Sequence, residues 1–436
     1  TVIVQDTQPA EPLRLTLASR IAGKIRSGQF WNAVGRRILT AVERLLVGKP
    51  GLLPCAFEIV DGTGLLAGIE VIKVNPRRHH GCDYIEGDEL ASIRARDIDV
   101  LVLLGFRTLR GGILSSARYG VWSCQHGDIR VNHRGPAGYW EVMESWPETG
   151  SILRIVTEDL DSASVMYRSS SSTDVMSLAD NKSTVQWKAL HFIPRKLKEL
   201  YRDGNERFFA RLKEENAHPQ FYDRRMYGTP TNGEFSVLLW KKLLQKCGRK
   251  WDDIFYFRQW FLLYDIRDDI STTLWRFKHI TPPRDRFWAD PFVVARDNKY
   301  YVFIEELLYA KKRGHISVLV MNKDGTFEPP VPILEAPYHL SYPFIFEFEN
   351  SIYMTPESKG NRTIELYKCT VFPLKWEFQK HLMEDCQAVD PTLIQWQGKW
   401  WMFVSQIETE GASLWDELFL YYSDSPLSAD WTPHPT

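Results

Sequence analysis

Paired cysteines are missing from this chain. Its six cysteines, Cys55, Cys82, Cys124, Cys247, Cys369 and Cys386, are scattered, with no CxxC and no Cys/His spacing. That argues against a structural zinc site and against a disulfide scaffold, so free thiols and no metal centre are expected. An excess of one charge is missing too. The 54 Lys and Arg against 55 Asp and Glu leave a formal net charge of −1, and no global field favours nucleic acid or an anionic membrane. No apolar run approaches the roughly 20 residues that a membrane helix needs. The opening TVIVQDTQPAEPLR lacks the charged-then-apolar order of a signal peptide. A cytoplasmic location is the default expectation.

A length of 436 residues with 44% hydrophobic and 25% charged residues fits a globular protein of two domains, or three if one is small. The 16 Trp, 18 Tyr and 23 Phe concentrate after residue 250, which predicts a β-rich C-terminal half, since aromatic side chains pack well on pleated surfaces. Before that point helical and strand periods alternate. Residues 13–18 (LRLTLA) suit a first strand. Residues 21–47 suit an amphipathic helix whose second face is basic (Lys24, Arg26, Arg36, Arg37, Arg44). Such a face fits a solvated helix packed on a sheet, or a helix lying on anionic lipid. Residues 57–60 and 68–74 read as strands, 75–88 as a loop, 89–95 as a short helix and 100–105 as a fully buried strand of a parallel sheet. A helix is expected through 188–201. Residues 201–250 read as a linker between a domain at 1–200 and one at 251–436.

Residues 119–168 carry the densest chemistry of the first half. His126 ends an apolar run, Gly127 and Asp128 follow it, a basic turn runs Arg134-Gly135-Pro136, and an acidic loop covers 158–161. A strand end with two polar loops is how α/β sheets build sites beyond the carboxyl ends of their strands. Four motifs stand there in order: Cys124-Gln125-His126, Arg134-Gly135, Glu148-Thr149-Gly150 and Leu160-Asp161-Ser162-Ala163. In order and spacing they resemble the folate-dependent formyltransferase fold of methionyl-tRNA and sugar N-formyltransferases. Cys124 stands where that family has Asn, and Ala163 where it has Gly. The resemblance implies a Rossmann-like α/β formyltransferase domain, 10-formyltetrahydrofolate as cofactor, and a small amine or amino-sugar acceptor. It makes His126 the general base and Asp161 the carboxylate that orients its ring. Cys124 then takes the oxyanion-donor position, where S–H donates weakly, or acts as a thiolate nucleophile beside His126. Gly105, Phe106, Asp128 and Asp159 fall on the cofactor side, with Asp128 placed to orient a substrate amine. A histidine that only ties two loops together is the competing reading of His126.

The second half repeats. FWADPFVVARDNKYYVFIEE from Phe287, LSYPFIFEFENSIYMTPES from Leu340 and AVDPTLIQWQGKWWMFVSQ from Ala388 each place an acidic or aromatic residue before Pro. An alternating strand, an Asn- or Gly-type turn and an aromatic-rich strand then follow. The prolines Pro291, Pro343 and Pro391 recur about every 50 residues, the period of a propeller blade. The motifs WADPF, HLSYPF, YMTPES and DPT resemble the propeller domain of glucosamine inositolphosphorylceramide transferases, itself similar to the five-bladed propellers of glycoside hydrolases. The span holds about three blades of an all-β propeller of the five-bladed type, so either the propeller is incomplete or the sequence is part of a longer chain. Propeller glycosidases set carboxylates around their axis. By that likeness Asp290, Glu357, Asp390 and His339 form the sugar-binding set, with Glu305 and Glu306 nearby. Two opposed carboxylates are what glycosidic chemistry uses, while Asp-Pro and Glu-Ser also merely cap strand ends. Two functions of different class follow. One is an N-formyltransferase whose propeller recognises a glycosylated acceptor. The other is a glycan-active propeller transferase or hydrolase carrying a degenerate formyltransferase domain. A non-catalytic pairing of binding domains is the third.

Overall fold

The structure, a computed structural model, describes residues 2–7, 56–57, 61–62, 64–128, 136–158, 164–218, 226–228, 230–256, 259–267, 273–409, 412–415 and 417–435. The expected elements at 13–18, 21–47 and 58–60 lie outside the described residues. Two compact units divide the chain: Thr1–Trp251 with Thr409–Ser413, and Asp252–Glu408 with Leu414–Thr436.

In the first unit the largest sheet among the described residues has four strands, in the order Leu101–Val102, Val121–Gln125, Glu148–Ile155 and Val165–Ser172. Its first pair is parallel and the other two are antiparallel. Val121 and Trp122 are adjacent, so they point to opposite faces. Val121 enters a core with Ile72, Val74 and Ile113, and Trp122 one with Leu153, Phe192 and Phe208. Burial on both faces accounts for the adjacent apolar residues Val121 and Trp122 at the start of this strand.

The expected strand at 100–105 shrinks to Leu101–Val102 and is not fully buried, since Leu104 is 74% exposed. It lies at the sheet's edge and pairs only with the strand at Val121. Val2–Asp6 pairs in parallel with Glu70–Val74 in a separate two-stranded sheet. A hairpin of Arg77–His79 and Cys82–Tyr84 fills the span expected as a loop and takes Thr108–Arg110 as a third strand. A Rossmann-like formyltransferase sheet is not shown by this arrangement. The span 201–250 holds the helices Asn205–Glu215 and Asn232–Phe255. The second starts on a reciprocal cap: the Glu234 backbone N–H donates to Thr231 Oγ1 (3.3 Å) while the Thr231 backbone N–H donates to Glu234 Oε2 (3.0 Å).

The second unit is propeller-like. Three four-stranded antiparallel sheets follow one another along the chain, at Arg286–Leu334, Ser341–Met383 and Gln387–Pro433. The first two strands of each are joined by a two-residue turn with both φ positive: Asp297-Asn298, Glu349-Asn350 and Gln397-Gly398. These are I′-type connections, whose twist matches that of the strands they link. Each first strand then breaks its register at the repeated proline, between Ala289 and Phe292, Ser341 and Phe344, and Val389 and Thr392. Proline has no N–H to give the ladder, so a bulge forms there. The residue before it turns left-handed: Asp290 (φ 50°), Tyr342 (φ 44°) and Asp390 (φ 56°). Between the sheets lie apolar cores in which Phe303, Met354 and Met402 are fully buried.

Candidate functional site

The three bulges build the site. The first strand of the first sheet packs beside that of the second, and that of the second beside that of the third, so Asp290, Tyr342 and Asp390 occupy equivalent places on neighbouring inner strands. They are linked in order. The Tyr342 backbone N–H donates to Asp290 Oδ2 (3.2 Å), and the Tyr342 hydroxyl lies 2.8 Å from Thr392 Oγ1 in the third sheet. The register places Glu305 opposite Ala289, Glu357 opposite Ser341 and Ser405 opposite Val389. The second strands therefore add a carboxylate from the first two blades and a hydroxyl from the third. His339, just ahead of the second sheet, places Nε2 3.1 Å from Glu305 Oε1. Its Nδ1 accepts the Gly314 backbone N–H at 2.9 Å.

Burial and neighbouring charge raise the proton affinities of Glu357, Asp390 and Glu305. Burial, and then the charge of Asp390, push Glu357 up to about 7 against the hydroxyl of Ser341. Asp390 is raised by burial and then by Asp290. Glu305 is raised by burial and by Asp290, with His339 opposing. Carboxylates held together out of water resist ionising all at once, so the cluster favours keeping a proton. That gives a proton donor and charged carboxylates side by side, the pairing that acid–base chemistry at a sugar requires. Among the described residues no group of three His, Cys, Asp or Glu is placed to hold a metal ion.

Glu306 is excluded from this set. Next to Glu305 on a strand, it points to the opposite face, where it is 2% exposed. There Arg286 Nη1 (2.9 Å), Trp288 Nε1 (3.1 Å) and Ser317 Oγ (2.7 Å) donate to its carboxylate, and His315 Nε2 lies 3.3 Å from it. Burial acts to raise Glu306, but these donors outweigh it and hold it at about 2. It is a structural node. The propeller residues named from sequence, Asp290, Glu357, Asp390 and His339, are brought together. Sequence reasoning missed the parts played by Tyr342, Ser341 and Gly314. Tyr342 was legible in principle as the residue before proline in the repeat, whereas Gly314 has no signal of its own.

The first unit treats its expected site differently. His126 follows the strand Val121–Gln125 and lines a cavity of about 230 Å³ with Phe57, Ala137, Lys182 and Gln186. Burial pushes its ring below the usual histidine range. Gly105 and Phe106 line a different cavity of about 760 Å³ with Ile3, Leu66 and Val71. The described residues do not join general base and cofactor loop in one pocket. Asp128 is 1% exposed and accepts Arg168 Nη1 at 2.6 Å, an ion pair that holds the strand Val165–Ser172. The Cys124 thiol donates toward the Ala189 carbonyl (3.7 Å), and burial raises it to about 11, the opposite of an activated thiolate. Asp159 and Asp161 lie outside the described residues.

The family described as glucosamine inositolphosphorylceramide transferase 1, N-terminal, matches residues 278–436. Glucosamine inositolphosphorylceramide transferase 1 of Oryza sativa subsp. japonica is 37% identical over 149 residues, which cover 34% of this chain and 20% of that protein. The Arabidopsis thaliana protein of the same name is 34% identical over 149 residues, covering 34% of this chain and 19% of its own. The chain spans about a fifth of the length of these curated relatives. Among solved structures, a family 117 glycoside hydrolase of Zobellia galactanivorans matches 35% of this chain and 56% of its own at 15% identity, with a TM-score of 0.28. A GH43_1 enzyme from Xanthomonas citri matches 36% and 60% at 15% identity, with a TM-score of 0.29.

These findings correct two expectations. Formyl transfer from folate is overturned: the relatives are named glucosamine inositolphosphorylceramide transferases, and no comparison supports a formyltransferase domain. The expectation of 10-formyltetrahydrofolate loses its reason with the reaction. The cytoplasmic location is overturned as well, because the relatives are named for a ceramide lipid rather than a soluble amine. Among the described residues no helix is long and apolar enough to cross a membrane.

Proposed function

We propose that the C-terminal unit is a glycan-active site, that of a transferase or hydrolase acting on a glycosylated lipid of the inositolphosphorylceramide kind. The observation that carries the reading is the convergence of Asp290, Glu305, Glu357 and Asp390 at the three bulges, where burial and neighbouring charge raise the proton affinities of Glu305, Glu357 and Asp390. Relatives named for glucosamine transfer support the substrate class. In this reading Glu357 carries a proton at neutral pH and gives it to the oxygen of the breaking glycosidic bond. Asp290 takes a proton from the attacking hydroxyl of an acceptor or of water, and Asp390 supplies the negative charge that keeps Glu357 protonated. The half-buried Tyr342 holds Asp290 through its backbone.

The test is direct. The purified chain is incubated with glycosyl inositolphosphorylceramides, their free headgroup oligosaccharides and glucosamine-containing donors, and the products are read by mass spectrometry, with binding read by calorimetry. Binding or turnover that disappears in Asp290→Asn/Asp390→Asn supports the reading. Identical behaviour of that variant and the natural chain across the panel would falsify it.

A further inference from the structure

Gly314 begins the third strand of the first sheet, at the side of the carboxylate cluster. Its backbone meets the segment before the second sheet twice: the Gly314 N–H donates to His339 Nδ1 at 2.9 Å, and the Gly314 carbonyl accepts the Leu340 N–H at 3.1 Å. A Cβ there would stand 2.7 Å from His339 Cε1, 2.7 Å from the Leu340 carbonyl and 3.0 Å from Glu305 Oε1. Only a residue without Cβ permits this approach. The contact also decides where the ring can hold a proton. An N–H aimed at Nδ1 needs a lone pair there, so the neutral ring must carry its hydrogen on Nε2, which faces Glu305 Oε1 at 3.1 Å.

We propose that Gly314 is a positioning residue that fixes His339 as a neutral, one-way hydrogen-bond donor to Glu305, and that His339 is not a proton carrier of the site. Two influences compete at the ring. Glu305, the largest, favours its charged form and so does Glu357, while burial and Lys359 oppose. Against the charged form stands the Gly314 N–H, because a second ring hydrogen on Nδ1 would face another hydrogen at hydrogen-bond distance. The neutral form satisfies both neighbours, and the charged form breaks one. The donor then holds Glu305 in its charged form against burial and Asp290, which both raise it. The meaning of this for sugar chemistry rests on the function proposed above; the proton's location on the ring does not.

The experiment uses the full chain without any sugar. Long-range proton–nitrogen spectra on nitrogen-15-labelled protein read the His339 ring, identified by its disappearance in His339→Gln. At pH 7 the expected pattern is a hydrogen on Nε2 and a bare Nδ1. A hydrogen on Nδ1, alone or together with one on Nε2, overturns the proposal. Carbon-13 titration of the Glu305 carboxyl gives the second reading. His339→Gln retains one acceptor and one donor but cannot shuttle a proton, so the Glu305 midpoint should stay within a few tenths of a unit of its natural value. His339→Ala and Gly314→Ala should each raise it by about one unit, the size expected for losing a hydrogen bond to a charged group. A Gln variant that shifts Glu305 as far as the Ala variant also overturns the assignment. If the spectra agree while no sugar is bound or turned over, the glycan reading falls and the placement of His339 stands.

Discussion

The two candidate sites handle ionisable side chains in opposite ways. In the first, Asp128 is buried and paired with Arg168, and Cys124 and His126 are shifted by burial alone. In the second, Glu305, Glu357 and Asp390 are shifted by burial and also by one another or by Asp290. Burial by itself makes a polar group costly and inert. Like charges gathered at one place store a proton whose release can be coupled to chemistry. Fifty residues of motif order made the first unit look like the active one, whereas the electrostatics of the carboxylates favours the second as the candidate.

The largest effect expected from this contrast is on activity. Asp290→Asn/Asp390→Asn should lower glycan turnover by about 10²-fold or more, the scale of losing a general base or its partner, whereas His126→Ala should leave it unchanged. Steady-state rates on one confirmed substrate decide it, and a large loss in His126→Ala would reverse the comparison. The next effect is on stability and separates two neighbouring glutamates. Glu306→Ala removes a buried carboxylate that satisfies Arg286, Trp288 and Ser317, and should cost about 3–5 kcal/mol. Glu305→Gln removes a charge that the fold resists and should cost far less. Hydrogen exchange of the amides in Lys299–Leu308 measures both, and equal costs would mean that the alternation of this strand does not sort structure from function. In the first unit, Gly150→Ala should cost about 2–3 kcal/mol, because a Cβ would fall 2.5 Å from that of Asp128. Urea unfolding that is unchanged in this variant would show the Asp128–Arg168 contact to be loose.

The second unit was more legible in the sequence than the first, for a local reason. Proline at Pro291, Pro343 and Pro391 breaks a ladder wherever it stands, and Asp297-Asn298, Glu349-Asn350 and Gln397-Gly398 are turn pairs whose conformations follow from their own backbones. Three copies in register then align Asp290 with Asp390. The opposite roles of Glu305 and Glu306 depend on which way a strand faces, which two adjacent identical letters do not reveal. Gly314 owes its role to a loop about 25 residues away, a distance that no periodicity bridges. In the first unit the strand at Val121 was readable because both its faces are buried. The run at 100–105 looked the same but lies at a sheet edge, so apolar composition alone did not set its burial.

The smallest effect is the dependence of the second unit's stability on pH. Glu357 is held at about 7 in the folded chain by burial and by Asp390, against an ordinary value of 4.5. Its folded state therefore binds the proton more tightly than its unfolded state. The stabilisation is fully present below about 4.5 and is lost as pH rises through about 7. Asp390 is raised too, and the pair titrates as a unit, so the loss attributable to Glu357 is on the order of 1 kcal/mol rather than the full value of an isolated shift. Glu357→Gln keeps the carboxyl's shape without its charge and should flatten the stability profile between pH 5 and pH 8. Urea midpoints taken across that range test the point. A profile as steep in Glu357→Gln as in the natural chain would place the titrating group elsewhere, and with it the proton that the proposed sugar reaction uses.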